Sequence, residues 1–513
     1  VEYLMGIDVG STNLKAIIYD LDGNAISQAS RPTQRFNPDP DHPEWAIWKP
    51  EQIWGGVAES IKEAVSQIDN AADVKALAVT GMGMDGVPID ADGKWLYPFI
   101  SWHCPRTEPQ QQWWLEKIGA EKQFSLCGNQ IWVFNTALRL MWMRENEPEI
   151  LAKTHKWLLI EDFVNFMLSG KCATDYSMAS TTLLFDQRKQ NWSEKMLETS
   201  GIDRDLLCDP FPSGTVIGEV HGQAAEVTGL TKGTAVVLGG HDYCCGALPT
   251  GAFEPGVVLD VTGTWEVVVA GLDEPVLTPQ AQQMGIVIDS HVARSKWCAM
   301  GAAVAGDMLE WFRGQYAFEE EQKAKANDSV AWDYLMKAAQ AAAPGANGVM
   351  FLPHMSGSHC PVVDHQSMGA FVGLRNIVTK ADMIRAIIEG LDYQFLQIVN
   401  GFESGLGAKP KRIVAVGGAI NNEFWMQNKA DVTGKPIETP ELSEAVPLGA
   451  AILAGIGAGL YKNEQDAFER VYKPGRIYEP NAELNAKYSE WFNAFEQVYP
   501  ALKGLNGQLR KLR

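Results

Sequence analysis

The sequence predicts an α/β protein built from two structurally related domains that face one another, and three observations carry that reading. The first is length: 513 residues exceed what one hydrophobic core supports and imply about two to four domains. The second is the opening, in which an apolar β-like run from Tyr3 to Asp8 meets the polar turn Gly10-Ser11-Thr12-Asn13. An alternating strand then returns from Lys15 to Tyr19. The third is that this grammar recurs from Gly256 to Val269. Asp8-Val9-Gly10-Ser11-Thr12 and Asp260-Val261-Thr262-Gly263-Thr264 share the form Asp-Val-x-x-Thr, each between β-rich runs, as expected of an internal repeat. Backbone N–H groups in such turns can form an anion-binding nest to which hydroxyls add donors. Two facing nests suit a polyphosphate. An ordinary hairpin would use the same turn residues.

Composition narrows the function classes. A net charge of −20 leaves no basic footprint for nucleic acid, and an anionic membrane would repel this surface. An acidic protein that handles a nucleotide must therefore hold it with backbone N–H groups and a divalent cation. Apolar runs fall far short of the roughly 18 residues of a membrane span. The start, Val1 to Met5, lacks the basic region and cleavage pattern of a signal peptide. The eight cysteines are scattered without a C-x-x-C pair, which points to a reducing cytoplasm rather than a disulfide framework or zinc site.

Along the N-terminal half, Glu51 to Ala64 has helical periodicity and Val74 to Val79 reads as a strand. Gly81-Met82-Gly83-Met84-Asp85-Gly86 matches G-x-G-x-x-G. A strand and turn follow it, not the helix a dinucleotide site needs. These glycines are expected to bring Met84 and Asp85 close to a small ligand. Trp102 and Arg106, in Ile100 to Arg106, offer an aromatic surface and a guanidinium suited to sugar hydroxyls, although Trp102 could equally pack in the core. Helices are expected over Phe134 to Asn146 and Trp157 to Leu168. At mid-chain, Ala235 to Leu238 reads as a buried strand and Gly239-Gly240 as a tight turn. Asp242 then faces a cleft, close to a candidate domain boundary.

In the C-terminal half, helices are expected over Ala303 to Phe312, Asp328 to Ala342, Ala381 to Val399 and Gly449 to Leu460. Lys411 to Asn422 reads as strand, double glycine and helix N-terminus, a geometry suited to close approach to a base or phosphate.

Taken together, seven strings carry a family resemblance. They are Gly6-Ile7-Asp8-Val9-Gly10-Ser11-Thr12, Thr136-x-x-Arg139-Leu140-x-Trp142, Thr174-Asp175-x-Ser177-x-Ala179-Ser180, Gly240-His241-Asp242, Gly263-Thr264-Trp265, Phe351-Leu352-Pro353 and Val416-Gly417-Gly418. In this order and spacing the chain resembles the FGGY carbohydrate kinases. The resemblance implies two actin-like (ribonuclease H-like) ATPase domains with a catalytic cleft between them. Residues 1–250 would bind the sugar and carry the base, and residues 251–513 would hold the nucleotide.

The resemblance also implies residue roles. Asp242 corresponds to the catalytic base, and Asp8 to the carboxylate associated with Mg²⁺, directly or through water, with Asp242 beside the metal. Thr12, Asn13, Gly263, Thr264, Gly417, Gly418 and Asn421 fall in the ATP-binding regions. Met84, Asp85, Trp102 and Arg106 fall, with Asp242, where the sugar is gripped. Within the family, the N-terminal half resembles the L-fuculokinase pattern and the C-terminal half the xylulokinase pattern. Cys104 stands where many members carry an acidic residue.

The expected activity is transfer of the ATP γ-phosphate to a ketose hydroxyl, with L-fuculose first and a ketopentose such as xylulose, or a polyol, second. The expected partners are the small-molecule sugar and ATP, with a homodimer left open and with neither nucleic acid nor membrane. The rival from another class is a non-catalytic actin-like ATPase or sugar-sensing protein.

Overall fold

A computed structural model describes residues 1–512. The N-terminal half builds a six-stranded sheet from β1 (Tyr3–Val9), β2 (Asn13–Tyr19), β3 (Ala25–Pro32), β4 (Val74–Gly81), β5 (Val216–Glu219) and β6 (Ala235–His241). Across the sheet the order is β5, β6, β4, β1, β2, β3. β1 runs parallel to β4 and antiparallel to β2, while β4 runs parallel to β6. The three parallel strands are buried on both faces and read as near-continuous apolar runs, as that position demands.

The C-terminal half repeats this plan. β7 (Val257–Thr262), β8 (Trp265–Leu272), β9 (Val287–Ser290), β10 (Trp297–Val304), β11 (Arg412–Val416), β12 (Ile437–Thr439) and β13 (Arg476–Tyr478) form a seven-stranded sheet. β7 is antiparallel to β8 and parallel to β11, β8 is antiparallel to β10, and β11 is parallel to β12. Strand for strand, β1, β2, β3, β4 and β6 correspond to β7, β8, β10, β11 and β12. The repeat predicted from Asp-Val-x-x-Thr is a repeat of sheet topology.

Helices cover both sheets. In the N-terminal half these include α1 (Pro50–Ser66), α2 (Thr136–Asn146), α3 (Ile160–Ser169) and the short α4 (Asp242–Ala247). In the C-terminal half they include α5 (Gly306–Tyr316), α6 (Ala331–Ala341), α7 (Lys380–Leu406), α8 (Glu423–Thr433), α9 (Ala445–Gly457) and α10 (Ala482–Lys511). The α7 helix starts at a capping box between Thr379 and Asp382 and stops at Gly407 in the left-handed region, the end signals its sequence carries. The small-residue helix α9 crosses back to pack on β1, β4 and β6 of the other sheet. Glycines permit that approach: a Cβ on Gly6 would lie 1.8 Å from the Pro447 carbonyl oxygen, and one on Gly449 would lie 1.9 Å from that of Cys245. Among the described residues no helix is long and apolar enough to cross a membrane.

Several expected elements shift. Gly239 and Gly240 do not turn the chain; they continue β6 as far as His241. A Cβ on Gly239 would come within 1.9 Å of the Val79 carbonyl oxygen, at a register shift between β6 and β4. These glycines thus serve close strand approach rather than a bend. Trp157 and Leu158 belong to a short strand before α3, and Ala303 and Val304 end β10 before α5 begins. In both cases an apolar run carries no periodic mark of where strand becomes helix.

Candidate active site

The site forms where the parallel strands of the first sheet end. In register, Asp8 of β1 lies beside Thr80 of β4, which lies beside Gly240 of β6. Asp8 and Asp242 therefore emerge at the same carboxyl edge, where ligands bind in open α/β sheets. The Asp242 side chain is 41% exposed, so its carboxylate is open to the cleft.

Asp8 is half-buried. Desolvation, then the charge of Asp242, raise its pKa to about 7; Lys15 opposes this and Glu444 adds to it. Asp8, crowded by the charge of Asp242, makes with it a fitting oxygen donor set for a divalent cation. Among the described residues no cluster of three or more His, Cys, Asp or Glu side chains is poised to hold a metal. Mg²⁺ suits that arrangement, because it takes one or two carboxylates and fills its remaining positions with phosphate oxygens and water.

His241 is buried, and its Nδ1 lies 2.7 Å from Asp242 Oδ1, close enough for an ion pair but not aligned as a hydrogen bond. Burial opposes its protonation, but the neighbouring Asp242 outweighs this, and its pKa rises. A Cβ on Gly83 would lie 2.4 Å from His241 Nε2, and one on Gly86 would lie 1.9 Å from Trp157 Nε1. The glycine-rich loop thus makes room for side chains of the protein itself. Within it Met84 has φ of 76°, unusual for a residue with a side chain. Its carbonyl is fixed by Thr136 Oγ1 and Arg139 Nη1, each at 2.8 Å.

The remaining sugar-side candidates cluster around that loop, but unequally exposed. Asp85 is fully buried; it accepts from Trp48 Nε1 at 2.6 Å, Arg139 Nη1 at 2.7 Å and the Trp102 backbone N–H at 3.2 Å. Its carboxylate organises the wall. Trp102 stands partly exposed, stacked on His103 at 3.7 Å and edge-on to Phe134. Arg106 is buried, with its guanidinium 4.2 Å from the Trp45 ring and 5.0 Å from the Trp142 ring. Its Nε lies 3.0 Å from Cys104 Sγ, so the thiol occupies the place beside the cation.

On the opposite side, a cavity of about 770 Å³ opens at the carboxyl ends of β7 and β11. Gly263, Thr264, Gly418 and Asn421 line it. Gly417 sits beside them at φ of 97°, where a Cβ would come 2.7 Å from the Thr262 carbonyl oxygen. Thr12 lies on the β1–β2 turn of the first sheet and Asn13 opens β2, both outside this cavity. Trp332, Met336 and Lys337 of α6 and Phe424 and Trp425 of α8 also line it, and no motif in the sequence singles them out. The amphipathic pattern of α6 marked a helix without marking which part of it would face a ligand.

Residues 3–249 match the N-terminal domain and residues 259–458 the C-terminal domain of the FGGY family of carbohydrate kinases. The chain is 30% identical to an autoinducer-2 kinase from Yersinia enterocolitica, over 97% of this chain and 94% of that protein. It is 29% identical to an L-fuculokinase from Escherichia coli K12, over 94% and 98% respectively. It is 27% identical to a xylulose kinase from Bacillus subtilis, over the whole of both chains. The fold superposes with a TM-score of 0.90 on a ligand-bound xylulose kinase from Lactobacillus acidophilus, at 23% identity over 99% of this chain and 100% of that one. With a duplicated actin-like sheet and both family domains in order, the chain belongs to the FGGY family of carbohydrate kinases.

Proposed function

We propose that this carbohydrate kinase transfers the γ-phosphate of ATP to a hydroxyl of a ketose, with L-fuculose as first choice and xylulose or a related ketopentose or polyol as second. The observation that carries this reading is Asp242, an accessible carboxylate at a strand end beside Asp8. A sugar hydroxyl is a poor nucleophile at neutral pH, and a carboxylate within hydrogen-bond reach accepts its proton as the new P–O bond forms. Phosphoryl transfer otherwise asks for in-line positioning and charge stabilisation.

In this reading Asp8, aided by Asp242, holds Mg²⁺, and the metal when bound neutralises charge on the phosphates. Thr12 on the β1–β2 turn, Asn13 at the start of β2 and the β7–β8 turn with Gly263 and Thr264 offer backbone and hydroxyl donors to the phosphates. The cavity lined by Gly418 and Asn421, with Gly417 at its edge, takes the nucleoside. Trp102 offers the sugar an apolar surface, while Met84, Asp85 and Arg106, all buried, hold that wall in place. The L-fuculokinase choice rests on the Ile100 to Arg106 and Gly83 to Gly86 strings. The xylulose choice rests on the full-length relative and on the Phe351-Leu352-Pro353 region. The autoinducer-2 kinase relative adds a further acceptor to the panel.

A coupled assay of ADP release across ketoses and polyols tests the reading. L-Fuculose is expected to give the highest kcat/KM, and xylulose in first place would select the second choice. ADP release indifferent to every sugar would favour a non-catalytic actin-like ATPase or a sugar sensor instead.

A further inference from the structure

Beneath the nucleotide-side cavity lies a buried cation that the proposed chemistry leaves unused. Lys429 of α8 is fully buried, and its ammonium donates to Asp260 Oδ2 and Glu266 Oε1 at 2.5 Å each and to Thr262 Oγ1 at 3.1 Å. It also lies 4.5 Å from the Phe395 ring and 5.8 Å from the Trp425 ring. The three N–H groups of an ammonium are all engaged, so no bond can be exchanged without leaving a buried charge short of a partner.

Thr262 is the joint in this cluster. Its hydroxyl donates to Asp260 Oδ1 at 2.9 Å while accepting from Lys429. Its carbonyl abuts Gly417, where a Cβ would intrude to 2.7 Å. Thr262 therefore touches the loop that begins at Gly417 and directly precedes the Gly263-Thr264 turn, and Thr262 and Trp425 themselves line the cavity. Asp260 and Glu266 satisfy two donors of the ammonium, and the third goes to Thr262, a residue that itself lines the cavity.

We propose that Lys429 is a positioning residue for the nucleotide. Through the Thr262 hydroxyl it fixes the separation between the Thr262-Gly263-Thr264 turn and the Gly417 to Asn421 loop, so that both are set before the ligand arrives. Preorganisation of this kind raises affinity by removing the ordering cost from the binding step. The inference rests on the reading of this cavity as the nucleotide site.

Thr262→Val tests it, because valine keeps the shape of threonine and both carboxylate partners of Lys429, and removes only the hydroxyl with its bonds to Lys429 and Asp260. The readouts are tryptophan fluorescence on titrating the full chain with MgADP, since Trp332 and Trp425 line the cavity, and the separate KM values for ATP and sugar. The ADP dissociation constant and ATP KM are expected to rise about tenfold, the scale of one hydrogen bond to a charged group. Sugar KM is expected to stay within about twofold, and Thr262→Ser is expected to restore nucleotide affinity. Unchanged ADP affinity in Thr262→Val, or nucleotide and sugar constants rising together, overturns the inference. Failure of the wild-type protein itself to respond to MgADP overturns the nucleotide reading on which it rests. Lys429→Met would also break both ion pairs, whereas Thr262→Val removes only the hydroxyl's bonds to Lys429 and Asp260.

Discussion

Asp8 and Asp260 open the same Asp-Val-x-x-Thr string on the same strand of two sheets with the same topology, yet their surroundings differ completely. Asp8 is half-open to the cleft, shares its space with Asp242 and has its pKa pushed up to about 7. Asp260 is sealed from solvent and bonded to the ammonium of Lys429. A carboxylate facing another carboxylate has unmet demand for positive charge and can take a metal. One already matched by a buried ammonium cannot. Duplication of the fold has thus not duplicated the surroundings: the first strand-end carboxyl is crowded by like charge, whereas the second is braced by an ammonium.

The largest effect should come from breaking the braced half. Asp260→Ala leaves Lys429 with too few partners and is expected to cost about 3–5 kcal/mol, the scale for opening a buried pair. It should appear as an early unfolding transition or as insoluble protein. Asp8→Ala removes a destabilised carboxylate instead, and should unfold at the wild-type temperature or above while its Mg²⁺-dependent turnover falls. If the two variants lose stability alike, or if Asp8→Ala keeps the wild-type metal dependence, the contrast between the two strand ends fails.

Next in size is Asp242→Asn, for which kcat should drop at least about 10²-fold, the scale of a general base, while ATP still binds. Near-normal turnover would take the proton transfer away from Asp242. A smaller effect is expected from Asp85→Ala, which loosens the Trp48, Trp102 and Arg139 contacts of the sugar wall. Sugar KM or kcat should change more than ATP KM, and the reverse ranking would detach Asp85 from the sugar side.

The smallest effect is in pH dependence. Asp8 keeps its proton in the folded chain up to about pH 7, whereas an unfolded aspartate loses it near its ordinary value of 3.8. Between these values the folded state binds more protons, so this residue's contribution to stability falls as pH rises. Glu266, raised to about 7, and Asp289, raised to about 6, act in the same direction. The informative quantity is therefore the difference between wild type and Asp8→Asn. The variant should show a shallower decline in melting temperature from pH 5 to pH 8, and identical slopes would remove the raised pKa. Mg²⁺ should stabilise the wild-type protein more at pH 8 than at pH 6, because binding needs the ionised carboxylate.

Much of the architecture could be read directly from the chain. Apolar β-like runs marked β1 and β4, alternation marked β2 and amphipathic periodicity marked α7, because each signal lies within a short stretch of chain; the recurrence of Asp-Val-x-x-Thr marked the doubled domain. The position of Asp242 past a strand was legible for the same reason. The role of Gly239 and Gly240 was not, since a glycine that turns a chain and one that admits a neighbouring strand look alike until Val79 is in place.

The sequence alone therefore determined the two-domain α/β plan, the strand-end carboxylates and the glycine loops, all of which follow from short-range pattern. Only the tertiary structure decided which of two matching aspartates stays partly open to the cleft and which is sealed against an ammonium. That choice belongs to partners distant in the chain, with Asp242 and Glu444 around Asp8 and Lys429 against Asp260. Charge state depends on what surrounds a group in space, and no spacing along the chain encodes it.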